Sequence, residues 1–132
     1  MTQEGIISLV SLHSPGETVE RLVAAVSARN MIVFARIDHA AGAKAAGLPL
    51  RPTEVVVFGN PKGGTVLMQD QQLAGLDLPL KALVWEDAEK RVWLSYDDPT
   101  WIAKRYGLGA KSAVAVDTLA TTLHAIAEDV TK

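Results

Sequence analysis

The sequence predicts an α+β fold, a mostly antiparallel sheet of about five strands with helices packed on one face. Three observations carry that prediction. Two strand-like runs, Lys81 to Asp87 and Arg91 to Asp97, are separated by the short polar connection Ala88-Glu89-Lys90, the pattern of a β-hairpin. The first apolar run is followed by a capped amphipathic helix, so strands and helices are interleaved from the start. A segment from about Ser112 to Val130 places Val116, Leu119, Leu123, Ile126 and Val130 at alternating steps of three and four, the stripe of a long helix against a core.

Gly5 to His13 reads as the first strand because it is rich in Ile, Leu and Val. Ser14-Pro15-Gly16-Glu17 then starts a helix: Ser14 can cap a free amide, Pro15 suits the first helical position and Glu17 completes a capping box. Val19, Leu22, Val23 and Val26 form its apolar stripe, and Arg29-Asn30 is its expected end. Met31 to Asp38 is the second strand. His39 opens a loop-like, alanine-rich piece of one or two short helical turns, stopped by Gly47, and Leu48-Pro49-Leu50-Arg51-Pro52 is a connector. Thr53 to Phe58 is the third strand. Asn60-Pro61 begins a helix or tight turn expected to run toward Ala74. In the hairpin, pairing Asp87 with Arg91 sets Trp85 opposite Trp93 and Leu83 opposite Ser95, and leaves Ala82, Val84, Val92, Leu94 and Tyr96 for the other face. Asp98-Pro99 opens one more short helix, which Gly107 stops.

A chain of 132 residues with 48% hydrophobic and 21% charged residues falls in the ordinary soluble globular class, as a single domain. Its formal charge of −2 offers no general pull toward nucleic acid or anionic lipid, so neither a nucleic-acid nor a membrane partner is expected. The absence of cysteine removes disulfides, thiolate nucleophiles and cysteine metal sites together. The start of the chain shows no secretory leader and no segment reaches bilayer length, which leads to the expectation of a cytoplasmic protein.

The most specific segments are Ile37-Asp38-His39, Phe58-Gly59-Asn60-Pro61-Lys62, Gly64-Thr65, Asp77-Leu78-Pro79-Leu80-Lys81, Val84-Trp85-Glu86-Asp87 and Asp98-Pro99. Together they resemble the bacterial and archaeal family called domain of unknown function 302, over nearly the whole chain. The resemblance implies a β-α-β(4)-α plan, elaborated here by short extra helices, and implies no activity. Lys90 stands at the hairpin turn where glycine is common, a departure that bears on turn geometry.

His13, His39 and His124 lack the local spacing of a metal site, and no dinucleotide fingerprint or nucleophile elbow occurs, so no metal and no cofactor is expected. His39 is the histidine best placed for chemistry, although capping by Asp38-His39 is the simpler role. Gly59 to Thr65 offers helix-start amides, Lys62, Gly63 and Gly64, a candidate site for a small anion; its plain alternative is a cap by Asn60 with close backbone packing. Lys81 shares a face with Leu83, Trp85 and Trp93, and the tryptophans call for cover by a ligand, a second subunit or a loop of the same chain. Glu86 and Asp87 read as solvated hairpin-end charges. The candidate ligand-binding set is therefore His39, Asn60, Lys62, Gly63, Gly64, Thr65, Lys81, Trp85 and Trp93. The function expected from it is that of a homodimeric, small-ligand-binding domain. A homodimeric interaction module without ligand is the alternative, and an enzyme using His39 and Lys81 for proton transfer is a third reading.

Overall fold

The computed structural model describes residues 3–132. Five strands, β1 (Ile6–Ser11), β2 (Ile32–Asp38), β3 (Thr53–Gly59), β4 (Leu80–Glu86) and β5 (Val92–Asp97), form one sheet in the order β1-β5-β4-β3-β2. Every adjacent pair is antiparallel. Helix α1 (Pro15–Ala28) carries the chain from one edge strand to the other, and α5 (Ala113–Thr131) packs beside it. Shorter helices fill the ends: α2 (His39–Ala45), α3 (Pro61–Asp70), a 3-10 turn (Gln72–Asp77) and α4 (Pro99–Arg105). This is the β-α-β(4)-α plan with additions, as the family resemblance implies.

The core lies between the helix layer and one face of the sheet. Val19, Leu22 and Val26 of α1 and Leu123, Ile126 and Val130 of α5 meet Val56, Phe58, Ala82, Val84, Val92, Leu94 and Tyr96 from the strands. Val23 is only partly buried, and Thr18 and Ala25 complete the α1 stripe in its place. Thr18 is tolerated inside because its hydroxyl bonds the Ser14 carbonyl at 2.8 Å and the Ser11 hydroxyl at 2.8 Å.

Caps follow the sequence closely. Ser14 accepts from the Glu17 amide, Asp38 from Ala41, Asn60 from Lys62 and Asp98 from Thr100, each with the cap residue extended. Three boundaries differ from expectation. Strand β1 is shorter, since Leu12 and His13 turn away to meet the end of α5, where Leu12 N donates to Thr131 O and His13 Nε2 lies 2.7 Å from Lys132 O. His39 begins α2 itself, so it sits on a helix and not in a loop. Helix α3 stops at Asp70 and Gln71 is extended; the Asp70 carboxylate is held by Gly109 N and Ser112 Oγ, and Ala74 drops into a second cluster with Ile102 and Tyr106.

The hairpin has the expected register, Trp85 opposite Trp93 and Leu83 opposite Ser95. The ring centroids are 6.1 Å apart with planes at 22°. Asp87 is not the solvated charge that its position suggests. It is 9% exposed, and its carboxylate accepts from Glu89 N, Arg91 N, Arg91 Nε and Trp93 Nε1, all at 2.9 or 3.0 Å. Those bonds, the one from Trp93 first, pull its pKa down to about 2 against the cost of burial. Lys90 takes φ +64°, the glycine-like turn geometry that its position demands.

Two stability results are expected. An unfolded Asp87 protonates near 3.8 and the folded one near 2, so the unfolded chain binds the extra proton first. The stabilisation by Asp87 is therefore complete above about pH 4 and fades as pH falls toward 2. Asp87→Asn lowers the denaturation midpoint at neutral pH, and its gap to the natural protein closes across that acid window; a gap constant with pH shows that the carboxylate's charge contributes nothing. Trp93→Ala, which also strips Asp87 of a donor, costs about 3–5 kcal/mol, and Trp85→Ala, only partly buried, costs less by chemical denaturation.

A further expectation concerns Gly5, which has φ +78° and where an added Cβ would lie 2.5 Å from Cγ of Trp101. Gly5→Ala should cost at least about 1–2 kcal/mol from the backbone alone, with more from displacing the indole, read as a fall in thermal midpoint.

Candidate functional site

Two concave places and one bare surface stand out. The first is a pocket of about 310 Å³ at the end of the sheet where β3 runs into α3. Gly59, Asn60, Pro61, Gly64, Thr65 and Met68 give one side, Leu78, Pro79 and Leu80 the other, with Phe34 at the mouth from edge strand β2 and Leu119 from α5. Each wall has a local cause. Phe34 is the extra residue of a bulge, since Val33 pairs with Phe58 while Ala35 pairs with Val57. The Leu78-Pro79 peptide is cis. Just before it, Asp77 is fixed by Tyr106 Oη at 2.6 Å and Arg105 Nη1 at 2.8 Å, which holds the connecting segment against α4. The carboxylate at Tyr106 raises the phenol's pKa, so the hydroxyl remains a donor.

The pocket is predominantly apolar. Its polar groups come from α3's first turn and are largely engaged: Asn60 Oδ1 accepts from Lys62 N at 3.0 Å, Gly64 N donates to Asn60 O at 3.1 Å, and Thr65 Oγ1 donates to Pro61 O at 2.6 Å. With Pro61 lacking an N–H, few donors of this helix start remain for an anion. The Asn60 amide nitrogen is the clearest donor left beside the cavity.

The second concavity is an open cleft of about 1050 Å³ on the helix side, bounded by Pro15 and Gly16, by α2 and by Leu48 to Pro52, over Val19 and Val84. Three of its charged groups are committed locally, while Lys44 also lines it. Glu54 pairs with Arg36 at 2.9 Å, Asp38 caps α2, and Arg51 Nε donates to the Glu86 carbonyl. The bare surface is the outer face of the sheet, opposite the helices.

The nine candidate residues are divided among these places. Asn60, Gly64 and Thr65 line the pocket. Lys62 is exposed beyond it, and Gly63 faces Leu119, to which an added Cβ would stand 3.9 Å. Lys81 follows pocket residue Leu80 but points to the opposite face, as strand alternation requires. Trp85 lies on that outer face roughly 13 Å farther along β4, at about 3.3 Å per residue, with Trp93 beside it. Trp93 is covered within the chain, by Trp85, by the Asp87 turn and by Arg91, whose guanidinium lies 5.6 Å above the ring. His39 is exposed next to the cleft and meets neither lysine nor tryptophan, so the His39 and Lys81 pairing of the enzymatic reading is not assembled in one site.

Phe34, Met68, Leu78, Pro79, Leu80 and Leu119 are pocket residues that sequence reasoning missed. The Asp-Leu-Pro-Leu-Lys segment was the available signal for three of them. Leu119 shares the α5 stripe with true core residues and carries no separate mark.

Comparisons with known proteins agree on the fold. A crystal structure described as uncharacterized conserved protein DUF302 from Bacillus stearothermophilus superposes with a TM-score of 0.86, covering 98% of this chain and all of that one at 18% identity. Two curated relatives are each 52% identical over 117 residues, 89% of this chain: Fluoride-specific ion channel FluC 1 of Brucella suis biovar 1 (strain 1330) and of Brucella abortus biovar 1 (strain 9-941). The matched region spans only 46% and 43% of those proteins, less than half their length. Among the described residues here, no helix is long and apolar enough to cross a membrane. The family described as Domain of unknown function DUF302 matches residues 7–130, and the chain belongs to it.

Proposed function

We propose that this domain binds a small, mostly apolar molecule in the pocket between α3 and Leu78-Pro79-Leu80. The observation that carries the reading is Gly64. It lies inside a helix, where glycine costs about 0.5–1 kcal/mol relative to alanine, and the fold does not need it there. A Cβ at Gly64 would stand 4.0 Å from Leu78 Cδ1 and from Met68 Cε, ordinary contact distances. What the missing side chain provides is room in the cavity, the usual form of a stability cost accepted for binding. The volume is about twice the ~150 Å³ cavity that holds a benzene ring, which suits a compact bicyclic ligand with one acceptor facing the Asn60 amide. The channel activity in the relatives' names is that of proteins more than twice the matched length, and the reading gives this domain an accessory binding role.

A homodimeric assembly is the second part of the proposal, supported by the bare outer face of the sheet. Pocket and face lie on different sides of β4, so each can be disturbed without the other.

The pocket is tested with indole as the probe, followed through the amide signals of Lys62 to Thr65 and the methyl signals of Met68, Leu78 and Leu119, with inorganic phosphate titrated in parallel. Saturable shifts are expected for indole, at a dissociation constant of roughly 0.2 mM for about 5 kcal/mol from a molecule of its size. Phosphate should move only the helix-start amides, if any. Gly64→Ala should stabilise the fold by about 0.5–1 kcal/mol while weakening indole several-fold. No saturable shift, or unchanged affinity in the stabilised variant, overturns the assignment.

A further inference from the structure

We infer that the outer face of the sheet is covered by a second copy of this chain, packed face to face with β4 against β4. This deepens the homodimer part of the proposal above and is independent of the pocket.

An antiparallel sheet with one wet face normally alternates apolar inward and polar outward residues. This one does not. Ile37, Val55 and Leu83 form one cross-strand row that ends in Ser95 and Ser8, Val10 lies beside Trp93 and Trp85 in the next row, and Ile6, Val10 and Ile37 are 39, 46 and 47% exposed. The hydroxyls and the indole N–H at the middle of the face are already satisfied inside the chain, and its charged groups, Lys81 and Asp97, stand at one end. Ser8 and Ser95 hydroxyls lie 2.7 Å apart, and Trp85 Nε1 donates to Ser95 Oγ at 2.9 Å. Burying the middle of this surface therefore orphans none of these three groups.

Size and charge point to a copy of the same chain. Five strands at ~4.8 Å spacing and about six residues at ~3.3 Å give a flat footprint of roughly 480 Å² per copy. Two copies bury about 1,000 Å² or more once side-chain relief is counted, the size at which an interface becomes specific. Lys81 and Asp97, one step beyond the Ala82–Tyr96 pair, place one charge of each sign at the same end, so the face is electrically neutral and does not repel its own duplicate. Two sheets packed about 10 Å apart make an ordinary sandwich core. Strand β4 is the middle of five and Leu83 is the middle of β4. A two-fold that overlaps the faces fully thus sets Leu83 against its own counterpart.

The test is light scattering during size exclusion at micromolar protein, with Leu83→Glu and Leu83→Arg measured separately and mixed. The natural chain should report a mass near twice 14.1 kDa. Each variant alone should keep its circular dichroism spectrum and lose dimer affinity by about a hundredfold or more, because like charges meet across the axis. The mixture should recover the doubled mass, which only contact between the two copies at Leu83 can produce. A monomeric natural chain overturns the inference, as does a doubled mass that either variant leaves intact. Failure of the mixture to reassociate assigns the face to another occupant, while indole binding to the same samples reports on the pocket separately.

Discussion

The architecture depends on one constraint: β1 and β2, consecutive in the chain, sit at opposite edges of the sheet. Helix α1 must therefore cross the whole sheet, and the three later strands are threaded into the space beneath it. Once α1 has taken that path, α5 completes the same layer alongside it. Both long helices are thereby spent on one face, and no long element remains for the other. The dry core, with Val26, Val56 and Phe58 fully buried, and the bare outer surface are two results of the same crossing.

The same geometry explains where cavities can form. The helix layer is widest at its middle and thin at the two ends of the sheet, where short helices and connectors must close the gap. One end is closed by α3 and the segment ahead of β4, and small side chains there leave a half-open apolar hollow. The other is closed by α2 and a proline-bearing connector, which leaves a broader cleft whose acidic groups, Glu54 and Asp38, are occupied by their neighbours. The segments that carry the resemblance divide accordingly: Phe58 is core, Asn60 and Asp98 are caps, Asp77 is an anchor, and Gly64, Leu78 and Pro79 shape the hollow.

Features governed by local chemistry were legible in the sequence. Helix starts at Ser14, Asn60 and Asp98 follow from capping and proline at the first turn, and the tryptophan pair follows from counting two residues per pleat across a short turn. Features that need distant segments were not. Asp87 was judged by which way it faces and not by the amides of the turn that close around it. Phe34 reaches the hollow through a bulge, and nothing in Ile32 to Asp38 marks where the extra residue falls. Leu119 and Gly64 line one hollow from 55 positions apart in sequence, and only the packing of α5 against α3 brings their segments together.

The bulge at Phe34 has a consequence of a different kind. Strand β2 is a free edge carrying exposed Ile32, Phe34 and Ile37, the composition of a template on which other chains polymerise. An irregular residue count breaks the even ladder that such an addition needs, and the same strand carries Arg36, which is paired with Glu20 of α1 and Glu54 of β3. The irregularity that opens the hollow also makes this border a poor seed for fibres.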